Sequence, residues 1–342
     1  MRPTGSMHLG NYHGALANWV EMQEEYECYY FAADWHALTT PGNPQTGAAG
    51  YECPEGLERL TREMILDWLS VGLDPQKSCI FVQSAIPEVA ELYLLFAMIT
   101  PNQWCLRNPT VQEQIEQLGI DTPHYGLIGY PVLQAADILI YKAHYVPVGR
   151  DQERHVWLSA DIAKRFNFFY GEVFPIPEAK FTEIPRVPGT DKAKMSKSAG
   201  NHIGLQFTPE ETQQAIQRMF TDPQKVRRND PGNPVSEEEG GSGCVVYAFH
   251  QLYNPAEVPQ ILADCRSGSL GCVACKRRLG ERMNAALEPI RARRAELQAQ
   301  PDYVEEVIRD GTQRARRTAQ QTLGEVREAM HLNYSFWKGG RV

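Results

Sequence analysis

The sequence contains no long apolar run. Nowhere do its 342 residues approach the roughly eighteen consecutive apolar side chains of a membrane helix. The N-terminal residues enter a glycine turn at once, without the basic start and apolar stretch of an export signal. We therefore expect a cytoplasmic protein, and the length predicts two domains.

The chain also has no excess of basic residues. Its 34 lysines and arginines stand against 42 carboxylates, which gives a formal net charge of -8 at pH 7. This balance argues against a protein that coats nucleic acid generally, although a local basic face can hold one RNA. Arginines cluster between 277 and 294 and between 314 and 317. These clusters predict either such a face or an ordinary solvated helix surface.

Residues 1–205 alternate strand patterns with helical patterns. Residues 29–33 and 79–82 are short apolar runs typical of buried strands, and apolar residues at helical spacing precede each run. Another helical pattern covers 131–141. The alternation predicts an α/β fold with a parallel sheet. Residues 206–342 have helical patterns and form the predicted α-helical domain, with the tract 237–243 as a flexible connector.

The first segment with the composition of a phosphate site is residues 3–11. It places small residues and a histidine at a turn that opens a helix, where backbone N–H groups and the helix dipole suit a triphosphate. His8 and Asn11 lie three residues apart on one helical face and can donate to phosphate or ribose oxygens. A glycine turn that merely caps a helix would look the same.

The second such segment is Lys194-Met195-Ser196-Lys197-Ser198, which is followed by a glycine. Two lysines and two hydroxyls in a loop can close over a polyphosphate and neutralise the charge that develops on leaving pyrophosphate. Basic surface loops are common, but this string is specific. Lys194, Ser196 and Lys197 are therefore candidate catalytic residues, together with His8 and Asn11.

Eight cysteines occur, and four of them cluster with the spacing C-x20-C-x6-C-x2-C: Cys244, Cys265, Cys272 and Cys275. Four thiolates that include a C-x2-C pair can hold a tetrahedral zinc ion or a [4Fe-4S] cluster, and the spacing does not separate the two. Four unliganded thiols are the third possibility. The remaining cysteines are scattered through the first domain and are interpreted as packing residues.

The two phosphate segments together resemble the HIGH-like and KMSKS signatures of class I aminoacyl-tRNA synthetases. Over nearly the whole chain the sequence is similar to tryptophanyl-tRNA synthetases, notably at 2–5, 34–39, 130–139 and 146–152. The resemblance implies a Rossmann-type parallel sheet with a helical, tRNA-binding C-terminal domain, in a homodimer. It also implies that tryptophan reacts with ATP and Mg²⁺ to give tryptophanyl-adenylate and pyrophosphate, and is then transferred to tRNA(Trp).

The resemblance also implies roles for single residues. Asp137 would accept the indole N–H, which suits a ring with one donor and no acceptor. Tyr130 and Gln152 would hold the substrate ammonium group, and His36 would complete the tryptophan site. The implied ATP site comprises Arg2, Pro3, Thr4, Gly10, Asn11, Gly149, Arg150, Asp151, Ile184, Lys194, Met195, Ser196, Lys197 and Ser198. A subset of bacterial members has a [4Fe-4S] cluster with a similar cysteine pattern, which favours iron-sulfur over zinc here.

Two features depart from the family pattern. In a Rossmann domain the glycine turn follows a first strand, but only Met1 precedes Arg2 here. This predicts a misassigned start codon or a truncated chain, and an incomplete wall of the substrate pocket. Gln112 and Gln114 stand where related enzymes typically have lysines that reach the phosphates. Either departure would lower activity without changing the fold.

Two other functions fit parts of the sequence. A tyrosyl-tRNA synthetase must pair a phenol that both donates and accepts a hydrogen bond, and the match around Asp137 favours tryptophan instead. A synthetase-like paralogue with a regulatory or binding role would share the fold without the activity. The two departures support the paralogue, whereas the intact lysine loop opposes it.

Overall fold

The structure is a computed structural model that describes residues 1–3, 5–43, 48–149, 153–181, 187–197 and 199–334. The helices are α1 Leu9–Asn11, α2 Ala17–Met22, α3 Asp34–Ala37, α4 Leu57–Ser70, α5 Pro87–Ile99, α6 Asn102–Leu106, α7 Pro109–Leu118, α8 Tyr125–Leu139, α9 Glu153–Tyr170, α10 Pro209–Gln217, α11 Val245–Tyr253, α12 Val258–Ser267, α13 Cys272–Gln298 and α14 Pro301–Ala329. The strands are β1 Cys28–Ala32, β2 Ser78–Val82, β3 Tyr145–Val148 and β4 Glu178–Phe181. A π-helical turn, Tyr12–Leu16, joins α1 to α2.

Both predicted strands are confirmed. β1 pairs with β2 in parallel, with Cys28 opposite Ser78 and Ala32 opposite Val82. The helix between them, α4, buries Met64 and Trp68 against the sheet side and serves as the crossover that a parallel pair requires. β3 and β4 form a second parallel pair, so the described strands make two separate two-stranded sheets.

The predicted helix over 131–141 is part of α8, which begins earlier, at Tyr125. The His124 side chain caps it by accepting the Leu127 N–H at 3.2 Å. Pro131 lies inside the helix and Asp137 lies in its last turn. Because α8 packs against α5 and α9, its inner face is buried and Asp137 points into the protein.

The second half is helical from α10 onward, as the sequence predicts. α14 packs closely on β2: a Cβ added at Gly311 would lie 2.0 Å from the Ile80 carbonyl oxygen. One hydrophobic core includes Met7 and Trp68 together with Phe249 and Leu287 of the helical half. The two predicted domains therefore share a core, and the boundary at 205 and 206 stays a prediction.

A buried ion pair joins the helical half to the glycine-turn segment. Arg294 of α13 donates to Asp67 Oδ1 of α4 at 2.7 Å and also contacts Glu63. The other oxygen of Asp67 accepts the Met7 N–H at 2.8 Å. This network fixes the segment that leads into α1. Among the helices of the described residues, none combines the length and the apolarity that crossing a membrane would require.

Candidate active site

The two phosphate segments, almost two hundred residues apart in sequence, meet in the structure. The Gly10 N–H points at Met195 Sδ at 3.3 Å, and Lys197 Nζ donates to the Ser6 carbonyl oxygen at 3.0 Å. The Cα of Gly5 lies so close to Lys197 that an added Cβ would be 2.7 Å from Nζ, and its φ of +106° favours glycine at this position.

Backbone pairing reinforces this meeting. Residues 203–205, just after the lysine loop, run antiparallel to residues 7–9. The Leu9 N–H donates to Ile203 O at 2.9 Å, and the Leu205 N–H donates to Met7 O at 3.0 Å. These bonds hold the start of α1 against the residues that follow the lysine loop.

Asn201 holds the lysine loop in shape. Its side chain is 3% exposed. Its Oδ1 accepts the Ser196 N–H at 2.8 Å, while its Nδ2 donates to Asp191 at 2.8 Å and to the Lys194 carbonyl at 3.1 Å. The Lys194 side chain is exposed. This role of Asn201 cannot be predicted from the sequence, which shows only that Asn201 lies next to the loop.

His8 is electrically neutral at physiological pH. Burial, then the positive fields of His202 and Lys197, lower its pKa to about 4. Its Nδ1 is buried and has no hydrogen-bond partner among the described residues. The Asn11 side chain accepts the His8 backbone N–H at 3.1 Å. His8 can therefore donate an uncharged hydrogen bond but contributes no positive charge at physiological pH.

Asp137, His36 and Tyr130 line a second pocket, of about 260 Å³. Asp137 is 3% exposed and accepts three hydrogen bonds. His36 Nε2 donates at 2.9 Å, and the Gln83 amide donates to both carboxylate oxygens at 2.9 and 2.8 Å. The pocket is also lined by Met1, Arg2, Phe31, Ala33, Thr39, Thr110, Gln114, Gln134 and His155.

The sequence patterns identify neither His155, which lines the pocket, nor Gln83, which donates to Asp137. His155 joins Tyr130 to α7: its Nε2 lies 3.1 Å from the Tyr130 hydroxyl and its Nδ1 lies 3.3 Å from Asn108 Nδ2. Gln83 directly follows β2 at its carboxyl end, where open α/β sheets bind ligands. That position was the signal that could have identified Gln83.

Several predicted site residues lie outside the described residues: Thr4, Arg150, Asp151, Gln152, Ile184 and Ser198. Pro3 is buried, and Gly149 directly follows β3. Of the two glutamines that replace expected lysines, Gln114 lines the pocket of Asp137, whereas Gln112 donates to the Leu106 carbonyl at 2.6 Å.

The four clustered cysteines line one small, mostly apolar pocket among α11, α12 and α13. Burial raises the pKa of Cys275 to about 12 and that of Cys244 to about 11, and the neighbouring thiols add to both shifts. Cys272 and Cys275 lie in the first turn of α13. The described residues contain no group of three or more histidine, cysteine and carboxylate side chains placed to hold a single metal ion.

Known proteins are similar to this chain over almost its whole length. Residues 1–288 match the family model of tRNA synthetases class I (W and Y). The chain is 47% identical to the tryptophan–tRNA ligase of Thermotoga maritima, with 98% of each chain covered. It is 42% identical to that of Aquifex aeolicus, with 97% of this chain and 98% of the relative covered. The crystal structure of Campylobacter jejuni tryptophanyl-tRNA synthetase with ADP and tryptophan superposes with a TM-score of 0.83, at 31% identity over 97% of this chain and 98% of that one.

Proposed function

The chain belongs to the class I tRNA synthetases of the tryptophan and tyrosine family. We propose that its two adjoining sites bind the two substrates of the activation step. The activity is that of a tryptophan–tRNA ligase, and its partners are ATP, L-tryptophan and tRNA(Trp). What we propose is the role of each residue: the pocket of Asp137 binds the amino acid, and the His8 and Lys197 segments bind the triphosphate.

The chemistry needs positioning more than a protein nucleophile. A carboxylate oxygen of tryptophan attacks the α-phosphorus of Mg²⁺-bound ATP; that O–P bond forms, and the bond from the α-phosphorus to pyrophosphate breaks. Lys194 and Lys197 would neutralise the charge on the departing pyrophosphate, and Ser196 would hydrogen-bond it. The terminal ribose hydroxyl of tRNA then attacks the activated carbonyl and releases AMP.

Selectivity would reside in Asp137. Indole offers one N–H donor, and Asp137 is a buried acceptor whose orientation is set by His36 and Gln83. The Tyr130 hydroxyl lies on the wall of the same pocket and would contact the substrate ammonium group. Arg2 lines this pocket too, and we propose that its guanidinium contacts ATP.

The observation that supports this assignment most strongly is the contact of Lys197 with the segment that contains His8. Its test is tryptophan-dependent exchange between pyrophosphate and ATP. Lys197→Ala should lower kcat by about 100-fold or more with a small change in the KM for tryptophan, because a lost transition-state charge contact is worth several kcal/mol.

Lys164→Ala is the matched control for that experiment, since Lys164 is an exposed lysine of α9 that pairs with Asp161 of the same helix. It should exchange like the unaltered protein. If Lys197→Ala also retained kcat, the proposed role of the loop would be wrong. Exchange supported by tyrosine but not by tryptophan would instead favour the tyrosyl alternative.

We further propose that Cys244, Cys265, Cys272 and Cys275 hold a [4Fe-4S] cluster, with zinc as the competing occupant. The shared pocket supports a common ligand, and the helix dipole at the start of α13 favours negative charge at two of the four. Zinc would need all four sulfurs about 2.3 Å from one ion, whereas each cysteine of a [4Fe-4S] cluster would ligate a different iron. Such a cluster would supply a structural cross-link.

Metal and sulfide analysis after anaerobic purification tests this proposal. We expect iron and inorganic sulfide in equal amounts, both lost in Cys272→Ser and both retained in Cys105→Ser, a buried cysteine of the other half. Charging of tRNA should fall more than pyrophosphate exchange, because the arginine-rich part of α13 follows the cluster. Zinc without sulfide would establish the competitor, and no metal would refute both.

We also propose a cytoplasmic location and a homodimeric state, in line with a translation enzyme of this family. Sedimentation equilibrium of the purified chain tests the second point: a mass of twice 38.6 kDa supports the dimer, and a mass of 38.6 kDa contradicts it.

A further inference from the structure

His155 connects three helices around one wall of the pocket of Asp137. It lies in the first turn of α9 and is buried. Its Nε2 lies 3.1 Å from the hydroxyl oxygen of Tyr130 on α8, and its Nδ1 lies 3.3 Å from the amide nitrogen of Asn108. Asn108 is the N-cap residue of α7 and is buried as well. Each nitrogen of the imidazole therefore faces one polar group of a neighbouring helix.

The Asn108 side chain determines which nitrogen of His155 carries the ring proton. Asn108 Oδ1 accepts the Thr110 backbone N–H at 3.0 Å. Because a backbone N–H can only donate, the oxygen of the amide must face Thr110, and the NH₂ group must then face His155. An NH₂ group donates and does not accept, so His155 Nδ1 is the acceptor and has no proton. The proton of the neutral ring is therefore on Nε2, which faces Tyr130.

The Nε2 proton determines how the Tyr130 hydroxyl is oriented. Since Nε2–H donates, the Tyr130 oxygen accepts this bond, and its own proton cannot point at His155. Burial raises the pKa of Tyr130 well above its usual value, so the hydroxyl keeps that proton at physiological pH. The Tyr130 ring also packs edge-on against both His155 and His36, with ring centroids 5.3 and 6.1 Å away. The second lone pair of the oxygen and its proton are therefore left for groups other than His155.

A second histidine acts on the other polar group of this pocket in the same way. His36 Nε2 lies 2.9 Å from Asp137 Oδ2, and a carboxylate can only accept, so this nitrogen is also the protonated one. Asp137 follows Tyr130 by about two turns of α8, which places both side chains on one face of the helix. The groups proposed to bind the indole N–H and the ammonium group of tryptophan are thus each held by an imidazole.

We propose that His155 is a positioning residue of the amino-acid site, which donates its Nε2 proton to the Tyr130 oxygen and so directs the second lone pair of that oxygen to the substrate ammonium group. This role rests on the proposed contact between Tyr130 and the ammonium group, and Asn108 supports it by fixing the tautomer of His155. An ammonium group can only donate, so it binds best to an oxygen whose lone pair is already in place.

The tautomer can be measured on the unaltered protein. NMR of protein that contains nitrogen-15 histidine shows which ring nitrogen carries the proton, and His155→Gln identifies the resonances of His155. We expect the proton on Nε2 alone at pH 8. A proton on Nδ1, alone or in addition, would overturn the proposal, because the NH₂ group of Asn108 would then face a donor.

Two incomplete analogues show which substrate group this hydrogen bond serves. Tryptamine retains the ammonium group and lacks the carboxylate, whereas indole-3-propionate retains the carboxylate and lacks the ammonium group. Both are measured as competitive inhibitors of pyrophosphate exchange. His155→Phe keeps an aromatic ring without the nitrogens, and should weaken tryptamine by about 3- to 12-fold, the effect of one hydrogen bond, and leave indole-3-propionate unchanged. A loss confined to indole-3-propionate would overturn the proposal.

The kinetics with tryptophan should show the same pattern. The KM of His155→Phe for tryptophan should rise by a similar factor while kcat stays within about twofold, because the ammonium group is bound equally before and during the reaction. His155→Gln, whose amide can still donate to Tyr130, should recover most of the lost affinity. A glutamine variant as weak as His155→Phe would contradict the role of the donated proton.

A double-mutant cycle separates this role of His155 from the proposed role of Tyr130. Tyr130→Phe should weaken tryptamine by about 10- to 150-fold, because a hydrogen bond to a charged group is lost. Adding His155→Phe to that variant should cost less than about 1.5-fold more. Unchanged tryptamine binding by Tyr130→Phe would show that the proposed contact of Tyr130 is wrong. If Tyr130→Phe weakens tryptamine but His155→Phe adds its full factor, His155 does not act through Tyr130, and the proposal fails while the role of Tyr130 stands.

Discussion

Replacing Asp137 by asparagine should cost the protein its preference for an indole N–H. The change keeps the side-chain shape but replaces one carboxylate oxygen by an NH₂ group and removes the charge. Gln83 and His36 both donate to this carboxylate in the structure. The single carbonyl of asparagine must serve them and the indole together, so the substrate loses a charged acceptor.

The magnitude follows from these contacts. A hydrogen bond to a charged group contributes about 1.5–3 kcal/mol, which corresponds to a loss of about 10- to 150-fold in kcat/KM for tryptophan. Asp137→Ala should in addition have a free energy of unfolding that is lower by about 2–6 kcal/mol, because it leaves the Gln83 amide and His36 Nε2 buried without an acceptor. The two variants therefore separate recognition from stability.

The assay is pyrophosphate exchange with tryptophan and with β-(3-benzothienyl)alanine, in which sulfur replaces the ring N–H. The unaltered protein should discriminate against the analogue by about the factor that Asp137→Asn loses on tryptophan, and the variant should hardly discriminate at all. Urea unfolding must show that the variant is folded. A folded variant that keeps kcat/KM for tryptophan within about threefold and still rejects the analogue would refute the reasoning.

Three further predictions concern stability. Arg294→Met should lower the free energy of unfolding by about 3–5 kcal/mol in urea titrations, because it leaves a buried carboxylate of α4 without its partner. Gly311→Ala should destabilise by about 1–3 kcal/mol, since its Cβ would meet Ile80 O, whereas the matched Gly324→Ala, with open space around it in the same helix, should be neutral or stabilising. Stability should fall as the pH drops from about 6.5 towards 4, because His8 has a lowered pKa of about 4 and the unfolded chain takes up the proton first; His8→Gln should show a shallower loss. Urea unfolding midpoints of both proteins at pH 7 and pH 5 measure this loss of stability.

The sequence predicted the elements that follow from periodicity. β1 and β2 were found within one residue, because buried apolar runs bounded by turn residues have few alternatives. α8 begins at Tyr125 rather than Pro131, since proline is accommodated inside it and His124 supplies the cap. The tract 237–243 was predicted to be flexible from its composition. In the structure it is a turn closed by backbone bonds from Gly241 to Ser236 and from Gly243 to Val235.

The sequence patterns do not predict the side chains that act by positioning other groups. The resemblance assigns both His36 and Asp137 to the tryptophan site, and in the structure His36 Nε2 lies 2.9 Å from Asp137 Oδ2. Gln83, which bonds the same carboxylate, belongs to no motif, because its role depends on where the carboxyl end of β2 lies relative to α8. Asn201 is similar: its three bonds to the lysine loop depend on a fold-back that local sequence does not specify.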